Sequence, residues 1–224
     1  MIAIIGAMDE EVSALLKYYP NALPQERKGV TYYENDEIII AKSGVGKVDA
    51  AYTTAFLLNN FKIDFVINIG SAGGLQTNQQ VGDIVIADKL SYHDFILDSS
   101  AEHLGGLRHT YAPTSIDLNL TKEILDELNL RYHVGWGVSG DQFITTSAQV
   151  SFLKEHFPLA LFCEMEATAI AQVCTRFQTP FIILRSLSDI AVLDGNDIAF
   201  NEYLIHASEQ SAQIASEFIR RRGV

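Results

Sequence analysis

Apolar runs of strand length recur along the chain at 1–6, 37–42, 64–69, 83–87, 134–139, 159–164 and 180–187. Between several of them the apolar positions switch to helical spacing. Val12, Leu15 and Leu16 share one face of 8–18, and Val48, Ala51, Ala55, Phe56 and Leu58 recur across 47–61. The same period predicts helices over 121–129 (Ile124, Leu125, Leu128), over 166–177 (Ala167, Ile170, Ala171, Cys174) and over 200–221. Strands alternating with helices predict a mostly parallel sheet covered on both faces, and the runs at 64–69 and 180–187 are apolar enough for its doubly covered centre. The segment 29–42 differs. Gly29 to Tyr33, an Asn35-Asp36 turn and Glu37 to Ala41 read as a hairpin, so the sheet is expected to be mixed. No linker, repeat or low-complexity block breaks the pattern. The expected architecture is α/β: a three-layer single domain over 1–224, with a mixed, mostly parallel central sheet flanked by helices.

Composition narrows the function classes. Of 224 residues, 48% are apolar, enough for a sizeable core, and the formal net charge is −12. So acidic a chain is not built to neutralise a phosphate backbone, which argues against a nucleic-acid partner. The basic cluster Arg220-Arg221-Arg222 ends the last helical segment, where it complements the helix dipole. No apolar run reaches the length of a membrane span, and Met1 to Gly6 lacks the charged start and cleavage pattern of a signal peptide. The expectation is a soluble, cytoplasmic protein with no membrane partner. Cys163 and Cys174 match no metal-ligand spacing and the histidines are scattered, so no metal is expected.

Candidate chemistry collects where strands end. Leu184-Arg185-Ser186-Leu187-Ser188-Asp189 follows an apolar strand and delivers an arginine, a serine and an aspartate to its end, where α/β sheets bind ligands. The pair Ser188-Asp189 also reads as a plain turn or cap. Gly70-Ser71-Ala72-Gly73-Gly74 follows the run at 64–69, and Gly44-Val45-Gly46 follows the run at 37–42 and opens the next helix. Both read as tight turns, at strand ends expected to lie side by side, that bring backbone N–H groups close to a ligand. Neither is a dinucleotide fingerprint, and Lys47 is not followed by the Ser or Thr of a phosphate loop. Glu11 precedes the core-facing Val12, whereas Asp9 and Glu10 are ordinary complements to a helix start. Glu164 and Glu166 bracket Met165 at another strand end. Three strand ends thus present Glu11, Glu166 and Asp189, with no local nucleophilic triad. That set suits carboxylate acid–base chemistry on a cationic intermediate, as in cleavage of a glycosidic bond.

These residues fall in segments that resemble the bacterial 5′-methylthioadenosine/S-adenosylhomocysteine nucleosidases, of the purine nucleoside phosphorylase-like fold. The segments are Ile4-Ile5-Gly6-Ala7-Met8-Asp9-Glu10-Glu11, Lys42-Ser43-Gly44-Val45-Gly46-Lys47-Val48, Gly70 to Gly74, Val138-Ser139-Gly140-Asp141-Gln142-Phe143, Glu164 to Ala171 and Arg185 to Asp189. They occur in family order over nearly the whole length. The resemblance implies that Asp189 protonates purine N7, oriented by Ser188, and that Glu11 activates the attacking water, held with the help of Ser71 and Arg185. It implies that Glu166 bonds the ribose hydroxyls, Met165 packs under the sugar, Phe143 stacks on adenine and the Ile144 backbone reads its edge. Ala72 and Gly73 would border the nucleoside, and Met8, Val45 and Phe200 would line the pocket for the 5′-alkylthio group. It also implies a homodimer in which residues from about 95–115 close the partner's site, and a part in methionine salvage; no cofactor is expected, because nothing here ligates a metal and hydrolysis needs none. The stretch 94–120 departs from the family pattern, so Phe95, Leu104, Tyr111 and Pro113 all stand as candidates for that closing role. Acids after the first strand disfavour a phosphate nucleophile, so hydrolysis is expected over phosphorolysis. A phosphorylase, a hydrolase for another adenine nucleoside such as aminodeoxyfutalosine, and a non-catalytic nucleoside binder are the competing readings.

Overall fold

A computed structural model describes residues 1–96, 109–192 and 196–223, for 196–202 the backbone only. Among the described residues, ten strands join one mixed sheet. They are β1 (Ile2–Gly6), β2 (Leu23–Arg27), β3 (Val30–Glu34), β4 (Ile38–Lys42), β5 (Phe65–Asn68), β6 (Ser71–Gly74), β7 (Ile84–Tyr92), β8 (Tyr132–Ser139), β9 (Ala160–Glu164) and β10 (Phe181–Ile190). The helices are α1 (Asp9–Leu16), α2 (Lys47–Asn60), α3 (Ser115–Glu127), α4 (Ser147–His156), α5 (Ala167–Phe177) and α6 (Asn196–Arg222).

The strand order is β2-β3-β4-β1-β5-β10-β6-β9-β8-β7, and β7 returns to pair with β10. The open half holds the parallel pairs β1–β4, β1–β5 and β5–β10. The other half closes into a ring of β10, β6, β9, β8 and β7, in which β6–β9 and β7–β10 are antiparallel. β10 belongs to both halves, which explains its length. Its first residues pair with β5 and its last with β6.

Alternation along β1 sorts the core into two layers. Ala3 and Ile5 join the cluster under α2 and α5, with Ala50, Phe56, Leu57 and Ile170. Ile2 and Ile4 join the opposite cluster under α1, α3 and α6, with Val12, Leu15, Ile124, Ile214 and Phe218. A strand buried on both faces has no polar alternation to show, as expected of a sheet between helix layers. The expected three-layer, mostly parallel α/β architecture is the one found. The 29–42 hairpin is present as β3–β4, with Asn35 Oδ1 accepting from the Glu37 and Ile38 amides at 2.9 and 3.0 Å.

Several boundaries differ from the sequence-based expectation. The glycine-rich 70–74 segment is not a turn: 71–74 is strand β6, wedged between β10 and β9. A side chain at Gly74 would meet Ile190 Cδ1 at 2.8 Å, so close backbone approach, not a reversal, is what this glycine serves. The strand expected over 180–187 runs on to Ile190. The ends of β4 and β5 are not adjacent, because β1 lies between them. Among the described residues no helix is long and apolar enough to cross a membrane.

Candidate active site

The C-terminal ends of β1, β5, β9 and β10, together with β6, surround a cavity of about 370 Å³. Its lining holds Met8, Glu11, Val45, Ser71, Ala72, Gly73, Phe143, Ile144, Met165, Glu166, Arg185, Ser188 and Asp189. Every site residue expected from sequence is therefore on this wall except Phe200, whose side chain lies outside the described residues. Gln142, Cys163 and Glu164 also line it. Phe95, Tyr111 and Pro113 do not line the cavity of this chain, and Leu104 lies outside the described residues.

Glu11 is held by the turn between β1 and α1. It is 2% exposed, and Oε2 accepts from the Ala7 and Met8 amides at 2.6 and 3.1 Å. Oε1 accepts from the Ser71 amide at 3.2 Å, which ties the first strand's turn to β6. Burial raises the Glu11 pKa, against the opposing pull of the Arg185 charge and the three amides. Gly70 gives this carboxylate its room: a Cβ there would lie 2.9 Å from Glu11 Oε1 and 3.5 Å from Arg185 Nε.

Glu166 is the N-cap residue of α5 and is buried. Its Oε1 accepts from the Gly46 amide at 2.8 Å. Gly46 is at φ +100°, a left-handed conformation that suits glycine and turns its N–H inward. Burial, and then the neighbouring Glu164 charge, push the Glu166 pKa up to about 8. The Gly44-Val45-Gly46 loop opens α2 as expected, and its Gly46 N–H is given to Glu166.

Asp189 owes its aim to a β-bulge. Along β10 and β6, Leu187 pairs with Ala72 but Asp189 pairs with Gly73, leaving Ser188 extra. A bulge lets consecutive residues face one side, and both Ser188 and Asp189 reach the cavity. Ser188 Oγ donates to Asp189 Oδ1 at 2.9 Å. Gly73 keeps the space in front clear, because a Cβ there would sit 3.1 Å from Asp189 Oδ2. Asp189 is 2% exposed. Of the two readings of Ser188-Asp189, the turn or cap is excluded, since both residues lie within the strand.

Arg185 is 1% exposed and points into the same wall. Its NH2 donates to Glu164 Oε2 and to Asn68 Oδ1, each at 2.7 Å. Its Nε, also buried, has no hydrogen-bond partner among the described residues. Asn68 and Glu164 are the functional neighbours that sequence reasoning left without a role. A visible signal existed for each: an asparagine inside an apolar central strand, and the first acid of the Glu164-Met165-Glu166 pair. Cys163 lies beside them with its thiol pKa raised, by burial and then by the Asp189 and Glu164 charges, which holds it protonated.

The arrangement supplies a buried carboxyl backed by a hydroxyl, a second carboxylate gripping three amides, and a third facing the space between them. It can deliver a proton at one end of a bound molecule and draw one from a water at another.

A family model described as the phosphorylase superfamily matches residues 1–220. The 5′-methylthioadenosine/S-adenosylhomocysteine nucleosidase of Staphylococcus saprophyticus is 40% identical over 98% of this chain and 99% of its own. The solved structure of the Neisseria meningitidis enzyme of that name, in complex with methylthio-immucillin-A, superposes with a TM-score of 0.90 at 35% identity, covering 98% of each chain. The S-adenosylhomocysteine nucleosidase of Streptococcus pyogenes, in complex with 5-methylthiotubericidin, superposes with a TM-score of 0.91 at 34% identity over 100% of this chain and 97% of that one.

Proposed function

The chain belongs to the 5′-methylthioadenosine/S-adenosylhomocysteine nucleosidases, N-glycosyl hydrolases of the phosphorylase superfamily, and from that premise we propose how its own residues cut the bond. The substrates are 5′-methylthioadenosine and S-adenosylhomocysteine, and the products are adenine and the 5-thioribose. Adenine is a poor leaving group as an anion, so a proton must reach N7 as the glycosidic bond breaks. Asp189 supplies it, with Ser188 holding the carboxyl. Such a donor must hold a proton as the glycosidic bond breaks.

The sugar left behind becomes oxocarbenium-like. Glu166 holds the ribose hydroxyls, and its carboxyl oxygens face the developing cation across the cavity. Glu11 takes a proton from the attacking water, which Ser71 and the unpaired Arg185 Nε help to place. Phe143, half-exposed at the rim, stacks on adenine while the Ile144 backbone reads its edge. Met165 packs under the sugar, with Ala72 and Gly73 beside it. Met8, Val45 and Phe200 take the 5′ group. The two relatives solved with methylthio-immucillin-A and 5-methylthiotubericidin support this choice of ligand.

The single observation that carries hydrolysis over phosphorolysis is the position of the Glu11 carboxylate. It already accepts the Ala7, Met8 and Ser71 amides, the donors that an incoming phosphate would need. Arg185, the one lysine or arginine on the wall among the described residues, is paired with Glu164. An anion entering here meets four carboxyl groups and, among the described residues, a single cation already paired with one of them. We also propose that 1–224 acts as one cytoplasmic nucleosidase domain, and that it pairs as a homodimer with the 95–115 region closing the partner's 5′ pocket. The test is a panel of adenine nucleosides with different 5′ groups, scored by adenine release with and without phosphate. Release from methylthioadenosine in phosphate-free buffer is expected, and a strict phosphate requirement would contradict it.

A further inference from the structure

One buried carboxylate on the cavity wall has no task in the chemistry above. Glu164 ends β9 with its side chain 4% exposed. Oε2 accepts from Arg185 NH2 at 2.7 Å, the Glu166 amide at 2.9 Å and the Ala167 amide at 2.7 Å. Oε1 accepts from Ser139 Oγ, which is itself bonded to the Thr168 amide. A carboxylate offers about four acceptor sites, so Glu164 has little capacity left for a substrate hydroxyl. Glu166 accepts only the Gly46 amide among the described residues and keeps that capacity. The two acids flanking Met165 therefore divide the work, one toward the ligand and one toward the protein.

Resting on the nucleosidase reading, we propose that Glu164 is a positioning residue for glycosidic cleavage: it anchors the Arg185 guanidinium beside Glu11 and clamps the turn that presents Glu166. Two observations converge on this. Among the described residues Arg185 has Glu164 and Asn68 as the side-chain partners of its NH2, and its Nε flanks Gly70 together with Glu11 Oε1. The backbone of Glu166 and the first turn of α5 hang on the same Oε2 atom. One anion thus links the water side of the cavity to its ribose side, and at Glu166 its charge opposes that of Arg185.

Glu164→Gln keeps the shape and an oxygen for the two amides but removes the charge. Arg185 is then uncompensated next to Glu11 and Glu166, which favours the ionised form of both. The test compares the wild type, E164Q, R185M and the double variant R185M/E164Q by adenine release from methylthioadenosine across pH, with folding followed by circular dichroism. In E164Q, kcat is expected to fall on the order of 100-fold, as for a misplaced catalytic group, with KM little changed. The acidic limb of kcat/KM should move to lower pH. The double variant should be no slower than R185M alone, because the cation that Glu164 serves is gone. The double variant buries no unpaired charge and so remains readable even where E164Q does not fold, and circular dichroism establishes that R185M, in which Glu164 loses its cation, is folded before the two are compared. An unmoved acidic limb in a folded E164Q, or a double variant far slower than R185M, overturns the proposal. A wild type that releases no adenine overturns the nucleosidase reading instead, so the two failures are separable.

Discussion

Asp189 and Glu166 face one cavity with opposite duties, and the surrounding atoms separate them. Asp189 has a hydroxyl at 2.9 Å and a glycine in front of it, whereas Glu166 has a backbone amide and a neighbouring anion. Asp189→Asn keeps size and polarity but cannot give up a proton as an acid does. It is expected to leave binding of methylthioadenosine nearly intact by calorimetry while turnover falls by about 10²–10⁴, the usual worth of a general acid. Tight binding with turnover unchanged would remove Asp189 from the chemistry. Glu166 makes a prediction about stability. Its pKa is pushed up to about 8 from an ordinary 4.5, so between these values the folded state holds a proton that the unfolded state has lost. Stability conferred by that proton is lost as pH rises through this window. Glu166→Gln removes the titration, so urea unfolding should show the variant gaining on the wild type from acidic pH to about 8. A constant gap between the two would contradict the raised pKa. Both acids were legible as candidates in the sequence, because carboxylates at strand ends are conspicuous. The ion pair beneath them was not, since Arg185 and Glu164 are far apart in the chain and meet only through the strand order.

At the level of elements, the sequence carried the apolar runs well and the glycine strand badly. β1, β4, β5 and β10 are apolar blocks whose burial leaves no other reading. β6 reads as a turn because serine, alanine and glycine have no strand signature, and only the close packing of β9 and β10 around it explains the composition. β2 is exposed at all five positions and includes Pro24, so an edge strand left no hydrophobic pattern to find. The bulge at Ser188 leaves no mark in sequence either, yet it decides where Asp189 points. Packing gives a direct prediction for β8. A Cβ on Gly137 would lie 2.2 Å from Phe162 Cζ, the ring of its register partner on β9. Gly137→Ala should cost about 1–3 kcal/mol, the range for overpacking a well-filled core. An unfolding free energy equal to the wild type would mean that the Phe162 ring moves aside freely.

Across the whole molecule, the open half of the sheet supplies Glu11 and the Gly46 amide, and the closed ring supplies Asp189, Glu164 and Met165. The cavity lies where β10 passes from one to the other, so the topology assembles the site from four strand ends distant in sequence. Its balance of charge decides the nucleophile. Among the described residues Glu11, Glu164, Glu166 and Asp189 meet one arginine on the wall, and the backbone amides at the end of β1 already hold a carboxylate. The acidic composition hinted at this, but the occupied amides appear only in three dimensions. The most direct test is the identity of the sugar released from methylthioadenosine when phosphate is abundant, read by mass spectrometry. Free 5-methylthioribose and adenine are expected, at a rate indifferent to phosphate. A sugar 1-phosphate as the main product would contradict it.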